Sequence, residues 1–159
     1  MPRLIILGIL SAAIISAGGA GATADTLVPA VKACKTRNCG ALVLPGRINA
    51  HPEVPALSSP WVGEVAGAAG SCLRLEIVAQ RTDLAMTVVG PDGRLFTSDD
   101  GGAATCVKCP RVVVGAARAG VYTIVVNTRT GLPAETDFDL RAGLYATGNA
   151  NCAKPTKGS

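Results

Sequence analysis

The chain has 159 residues with 15 basic and 11 acidic side chains, a net charge of +4, one histidine and six cysteines. Its positive charges are scattered, without the basic patch or stripe that a nucleic-acid-binding surface needs, so nucleic acid is not an expected partner. A single histidine leaves little material for imidazole-based catalysis or histidine-rich metal sites.

The first segment reads as a secretory signal. Arg3 supplies the positive start, Leu4 to Ile15 form a run of about twelve mainly apolar residues, and Ala22-Thr23-Ala24 has the small-x-small form of a cleavage site. The run is too short for the roughly 20 apolar residues that span a bilayer, so no stable membrane insertion is expected after cleavage. Cys34 is the nearest cysteine to the cut, which argues against a lipid-modified N-terminus. Removing residues 1–24 leaves 135 residues and, with Arg3 gone, a net charge of +3. That length suffices for one domain with its own core.

Residues 25–60 form an N-terminal extension. TLVPAVKAC (26–34) has the makings of a short helical turn, with Pro29 near its start. Cys34 and Cys39 bracket a tight loop, CKTRNC. RINAHPEVPALSSP (47–60) carries three prolines and reads as an irregular connection. His51 lies inside it, with no G-x-S-x-G elbow around any serine to make it the base of a triad.

From Trp61 to Thr147 the pattern changes to a period of two. In CLRLEIVA (72–79), Leu73, Leu75 and Ile77 share one face, and Arg74 and Glu76 share the other. Leu84, Met86 and Val88 alternate in the next run, and RVVV (111–114) and VYTIVVN (121–127) are rich in β-branched residues. In DFDLRAGL (137–144), Phe138, Leu140, Ala142 and Leu144 oppose Asp137, Asp139 and Arg141. Turn signals separate these runs at GPDG (90–93), DDGG (99–102) and RAG (118–120). The expected fold is all-β: an antiparallel, jelly-roll-like sandwich over residues 61–147, followed by a polar C-terminal tail, 148–159, with the character of a frayed end.

The run of segments CLRLEIVA, TDLAMTVVGPDGRLFTSDDGG, RAGVYTIVVNTRTG and TDFDLRAGL resembles the bacterial pre-peptidase C-terminal domain. The likeness covers roughly residues 61–146. That family is a small β-sandwich on exported proteins, and the resemblance implies a module that contacts a protein or polymer, or assists a secreted enzyme. The second acid of the family's Asp-Leu-Asp-Leu strand is missing, since Ala85 and Met86 follow Asp83 and Leu84. The six cysteines and the N-terminal extension also fall outside the family pattern.

Four readings compete for the chemistry. An even set of cysteines behind a signal predicts three disulfides in an oxidising compartment, periplasmic or extracellular. Six cysteines allow 15 pairings. Short spacing favours Cys34–Cys39 and Cys106–Cys109, and Cys72–Cys152 follows by elimination. Cys106-x-x-Cys109 is also a candidate redox dithiol, although Pro110 and a β-run, rather than a helix, follow it. Asp99 and Asp100 beside two glycines are candidate calcium ligands, without an EF-hand pattern. Cys34, Cys39, Cys106 and Cys109 together form a weaker zinc candidate. Trp61, at a strand start, is a candidate binding platform. The leading expectation is a non-catalytic exported binding or accessory module without a resident cofactor. The alternatives are a periplasmic thiol–disulfide protein and a calcium-dependent adhesion or stability module.

Overall fold

The computed structural model describes residues 41–102 and 106–159, together with the backbone of Leu27–Val28. The strands are β1 (Leu27–Val28), β2 (Leu42–Ala50), β3 (Ser58–Ser59), β4 (Trp61–Gly67), β5 (Ser71–Gln80), β6 (Leu84–Val89), β7 (Leu95–Ser98), β8 (Arg111–Ala117), β9 (Gly120–Thr128) and β10 (Thr136–Ala146). They form two five-stranded sheets, ordered β1-β4-β9-β6-β7 and β3-β2-β10-β5-β8. Apart from the short parallel β1–β4 pair, every pairing is antiparallel. The chain crosses repeatedly between layers, giving the all-β sandwich its alternating pattern predicts.

Period-two alternation decides what each strand buries. The first sheet sends Val65, Leu84, Met86, Val88, Ile124 and Val126 inward, and the second answers with Ile48, Leu73, Leu75, Ile77, Leu140 and Val112, each at most 1% exposed. Trp61, Phe96, Tyr122 and Phe138 fill the gaps these aliphatics leave, and all five aromatic rings, Tyr145 on the outer face included, lie over glycines. A Cβ on Gly46 would enter the Phe138 ring, one on Gly63 the Trp61 ring, and one on Gly67 the Tyr122 ring. Tyr145 covers Gly143 and Phe96 covers Gly158 in the same way. Gly46 stands directly opposite Phe138 in the β2–β10 ladder, so the missing side chain makes room for the ring on the neighbouring strand.

Two segments depart from the sequence reading. Residues 47–60 are not an irregular connection throughout. Arg47 to Ala50 complete β2, which pairs with β10 from Thr136 to Ala142, so part of the N-terminal extension is a strand of the sandwich. Pro45 is accommodated within this strand, and only Pro52, Pro55 and Pro60 lie outside it.

The C-terminal tail is not frayed. A 3₁₀ turn, Ala150–Cys152, lies on the second sheet, and Cys152 is bonded to Cys72 with a Cα separation of 6.0 Å. Further on, the Thr156 N–H donates to the Val113 carbonyl at 2.8 Å, and the Val113 N–H donates to Thr156 Oγ1 at 3.0 Å. Ser159 then exchanges both backbone hydrogen bonds with Leu95, at 3.0 and 3.1 Å. The tail therefore crosses the mouth between edge strands β8 and β7, occupying backbone groups that an uncovered edge would leave open.

The second described disulfide, Cys106–Cys109, closes the loop before β8. Disulfide stabilisation grows with the length of loop closed. The Cys72–Cys152 bond spans 80 residues of sequence and the Cys106–Cys109 bond three. Urea unfolding under non-reducing conditions should show that Cys72→Ala/Cys152→Ala loses about 4 kcal/mol and Cys106→Ala/Cys109→Ala about 2 kcal/mol.

Candidate functional site

The alternation that sends Leu73, Leu75 and Ile77 inward turns Cys72, Arg74 and Glu76 to the outer face of the second sheet. Such a face is ordinarily solvated. Here it is covered: Cys72 is fully buried, and with Val113, Tyr145 and Cys152 it forms a small second cluster separate from the main core. The disulfide and the 3₁₀ turn hold this cover down, and Glu76 is left with no exposed surface.

Glu76 sits among arginines. Arg141 on β10 and Arg111 on β8 are its direct cross-strand neighbours, and Arg74 lies two positions back on the same face. Arg74 donates to Glu76 Oε2 from Nη2 at 2.8 Å and from Nε at 3.1 Å, both bonds reaching the same oxygen. Its Nη1 turns to the Asn151 backbone carbonyl, at 3.4 Å, tying the pair to the 3₁₀ turn. Glu76 Oε1 has no hydrogen-bond partner. A buried carboxylate oxygen left unsatisfied carries a desolvation cost of at least about 1–3 kcal/mol.

An open cleft of about 460 Å³ adjoins this carboxylate, lined by Ala41, Val43, Arg74, Glu76, Arg141, Tyr145 and Asn151. Among the described residues, the Arg141 guanidinium has no ion-pair partner and the Tyr145 hydroxyl no hydrogen-bond partner. Burial raises the Tyr145 hydroxyl above its ordinary value, with the positive charges of Arg74 and Arg141 pulling the other way. The cleft therefore has the buried Arg74–Glu76 pair behind it and Arg141 and Tyr145 in its lining. It is an arrangement suited to holding a polar ligand.

The residues singled out in the sequence lie elsewhere. Asp99 Oδ2 is 3.1 Å from Arg129 Nη1, and Asp83 Oδ2 is 3.7 Å from the same nitrogen, so a guanidinium stands between these two carboxylates. Asp100 is exposed in the following turn, where its backbone carbonyl accepts from Ser98 Oγ at 2.6 Å. Among the described residues no cluster of three or more His, Cys, Asp or Glu side chains is placed to share a metal ion.

Trp61 is not a surface platform. It is 6% exposed and packs edge-on against Phe138, with ring centroids 5.5 Å apart, because its place at the start of β4 points it into the core. Cys109 is fully buried in the main core, and its N–H donates to the Cys106 carbonyl at 3.0 Å, closing a turn. Cys34 and Cys39 lie outside the described residues. His51 accepts backbone N–H bonds from Glu53 and Val54 on Nδ1, both at 3.2 Å, and so closes its own turn.

Sequence reasoning placed Arg74 and Glu76 on the face opposite Leu73, Leu75 and Ile77 and did not single them out as a site. The signal was Cys72, which shares their face: a cysteine bonded to the tail must draw the tail over its neighbours. No protein-family model matches this chain, and no curated protein matches it.

Two outcomes follow from the geometry. Arg74→Ala strands the buried carboxylate and should cost about 3–5 kcal/mol in urea unfolding, whereas Arg74→Met/Glu76→Leu removes both charges and should leave stability unchanged or higher. The Tyr145 hydroxyl, raised by burial, keeps its proton longer in the folded chain than in the unfolded one. Stability should therefore be full below pH ~10 and fall as pH rises through the folded-state value. An ultraviolet difference titration of wild type against Tyr145→Phe should place the missing transition above that of a free tyrosine.

Proposed function

We propose that this chain is an exported binding module that holds a polar partner on the outer face of its second sheet without transforming it. The observation that carries the reading is the cleft of about 460 Å³ on this face, lined by Arg74, Arg141, Tyr145 and Asn151, with the buried Glu76 carboxylate and its unpartnered Oε1 behind it. A fully buried carboxylate with one free oxygen costs stability, and such costs collect where a chain recognises something.

The leader-like N-terminus and the even set of cysteines support residence in an oxidising compartment, periplasmic or extracellular. The similarity of the strand and turn order to the pre-peptidase C-terminal domain supports a role on a protein or polymer partner. The fully buried Cys109, sealed in the core, favours a structural disulfide over a dithiol that exchanges with substrates.

The test compares mature wild-type protein with Arg74→Met/Glu76→Leu, both checked for native circular dichroism, on extracellular and envelope polymer from the producing cell. Wild type should be retained and the variant released at least tenfold more readily, with the recovered polymer unchanged in mass. Equal retention of both proteins, or recovery of cleaved polymer, overturns the reading.

A further inference from the structure

We propose that the tail and the edge strands beneath it form a second site, which takes a small organic molecule bearing a tetrahedral oxyanion, a phosphate or sulfate monoester. The oxyanion lies between the guanidinium groups of Arg94 and Arg118, and the uncharged body of the molecule lies along the tail. This site shares no lining residue with the cleft beside Glu76 and stands independently of it.

Two turns bring the arginines together. The link between β6 and β7 carries Pro91 and Asp92, and the link between β8 and β9 carries Arg118. Pro91 packs on Gly120, where a Cβ would come within 2.6 Å of the proline, so the two turns stack closely. Asp92 Oδ2 then lies 3.0 Å from Arg118 Nε and 3.7 Å from Arg94 Nε. Both backbones are held as well. The Arg94 N–H donates to Asp92 Oδ1 at 3.3 Å, and the Arg118 N–H donates to the hydroxyl of the buried Tyr122 at 2.8 Å. One carboxylate thus fixes two guanidinium groups through Nε, and among the described residues their Nη groups have no partner. The arginine side chains are 63% and 67% exposed, so a ligand reaches those free edges directly.

Charge and the number of acceptor oxygens select the class. Asp92 is the one acid lining the cavity, so the two arginines leave a surplus positive charge for an anion to meet. The tail's own charges, Lys154 and Lys157, lie outside the lining and add to the positive field. A carboxylate satisfies one guanidinium fork, whereas two forks side by side call for the three free oxygens of a phosphate or sulfate monoester. Beyond the forks, the accessible walls are small and uncharged: Gly115, Ala116, Ala153 and Pro155. The bonds of Thr156 to Val113 and of Ser159 to Leu95 hold the tail's share of that wall in place. The cavity, about 630 Å³, falls within the range of small-molecule sites.

Calorimetric titration of the mature, oxidised protein with phenyl phosphate and phenyl sulfate, against benzoate, phenol and inorganic phosphate, tests this directly. At least one monoester should bind tenfold or more tightly than each of the three comparison probes, and the ranking of the two esters tells phosphate from sulfate. Arg94→Gln and Arg118→Gln, both exposed changes that should leave the circular dichroism native, should each weaken that binding at least tenfold. Arg81→Gln, outside the cavity, should leave it unaltered. Benzoate binding as tightly as the esters overturns the tetrahedral requirement, and inorganic phosphate binding as tightly reduces the pair to an adventitious ion site only. Ester binding indifferent to Arg94→Gln and Arg118→Gln, or no binding of any probe, overturns the site itself.

Discussion

The bond between Cys72 and Cys152 determines what the second sheet can do. Without it, the outer face of β5 and β10 is a solvated surface on which Arg74, Glu76 and Arg141 are unremarkable exposed charges. With it, the 3₁₀ turn is pressed onto the sheet, Asn151 meets Arg74, and Glu76 loses contact with solvent. The same anchor starts the tail on its path to Thr156 and Ser159, which occupies the edges of β8 and β7. One covalent constraint thus converts a two-layer sandwich into a molecule with a third, partial layer, and the cleft lies at the margin of that layer.

The interior and the cover are built on different principles. Between the sheets, aliphatic side chains alternate with aromatic rings seated over glycines, a packing that needs no polar atoms and leaves little room for substitution. On the outer face the contacts are a disulfide, an ion pair and hydrogen bonds to a turn. Removing both members of the Arg74–Glu76 pair is expected to be tolerated because burial of an ion pair gains little over well-packed apolar groups. Stability alone therefore does not account for a buried ion pair at this position. Paired carboxylates elsewhere show the contrast: Asp83 and Asp99 face Arg129, and Glu135 and Asp137 face Arg47, all on exposed surface where ion pairs contribute little.

Most of the sandwich was legible because period-two alternation is a direct consequence of strand geometry. Leu73, Leu75 and Ile77, and likewise Phe138, Leu140 and Ala142, sit where that alternation puts them. β2 was obscured by the prolines around it, since Pro45 lies inside the strand and Pro52 just beyond. The tail was obscured by its composition: Lys154, Thr156, Lys157 and Ser159 look solvated, yet the backbone groups of Thr156 and Ser159 and the Thr156 hydroxyl bind the strand edges. Trp61 drew attention as a rare aromatic, yet its position on β4 directs it inward against Phe138. The Glu76 site was hidden for a related reason. Alternation reports which face a residue takes, and in CLRLEIVA only Cys72, through its bond to Cys152 80 residues later, reports that this face is covered.

The account's central claim is that the tail anchored by Cys72–Cys152 buries the Arg74–Glu76 pair beside a cleft that holds a polar partner. A high-resolution crystal structure of the ligand-free, oxidised protein tests it most directly, through the density around Glu76. The account predicts Glu76 shielded from solvent and bonded to Arg74 alone, with the cleft beside it open to bulk water. A guanidinium of Arg141 or Arg111 bonded to Oε1, with the cleft closed over it, would make the cluster a self-satisfied structural network and contradict the claim.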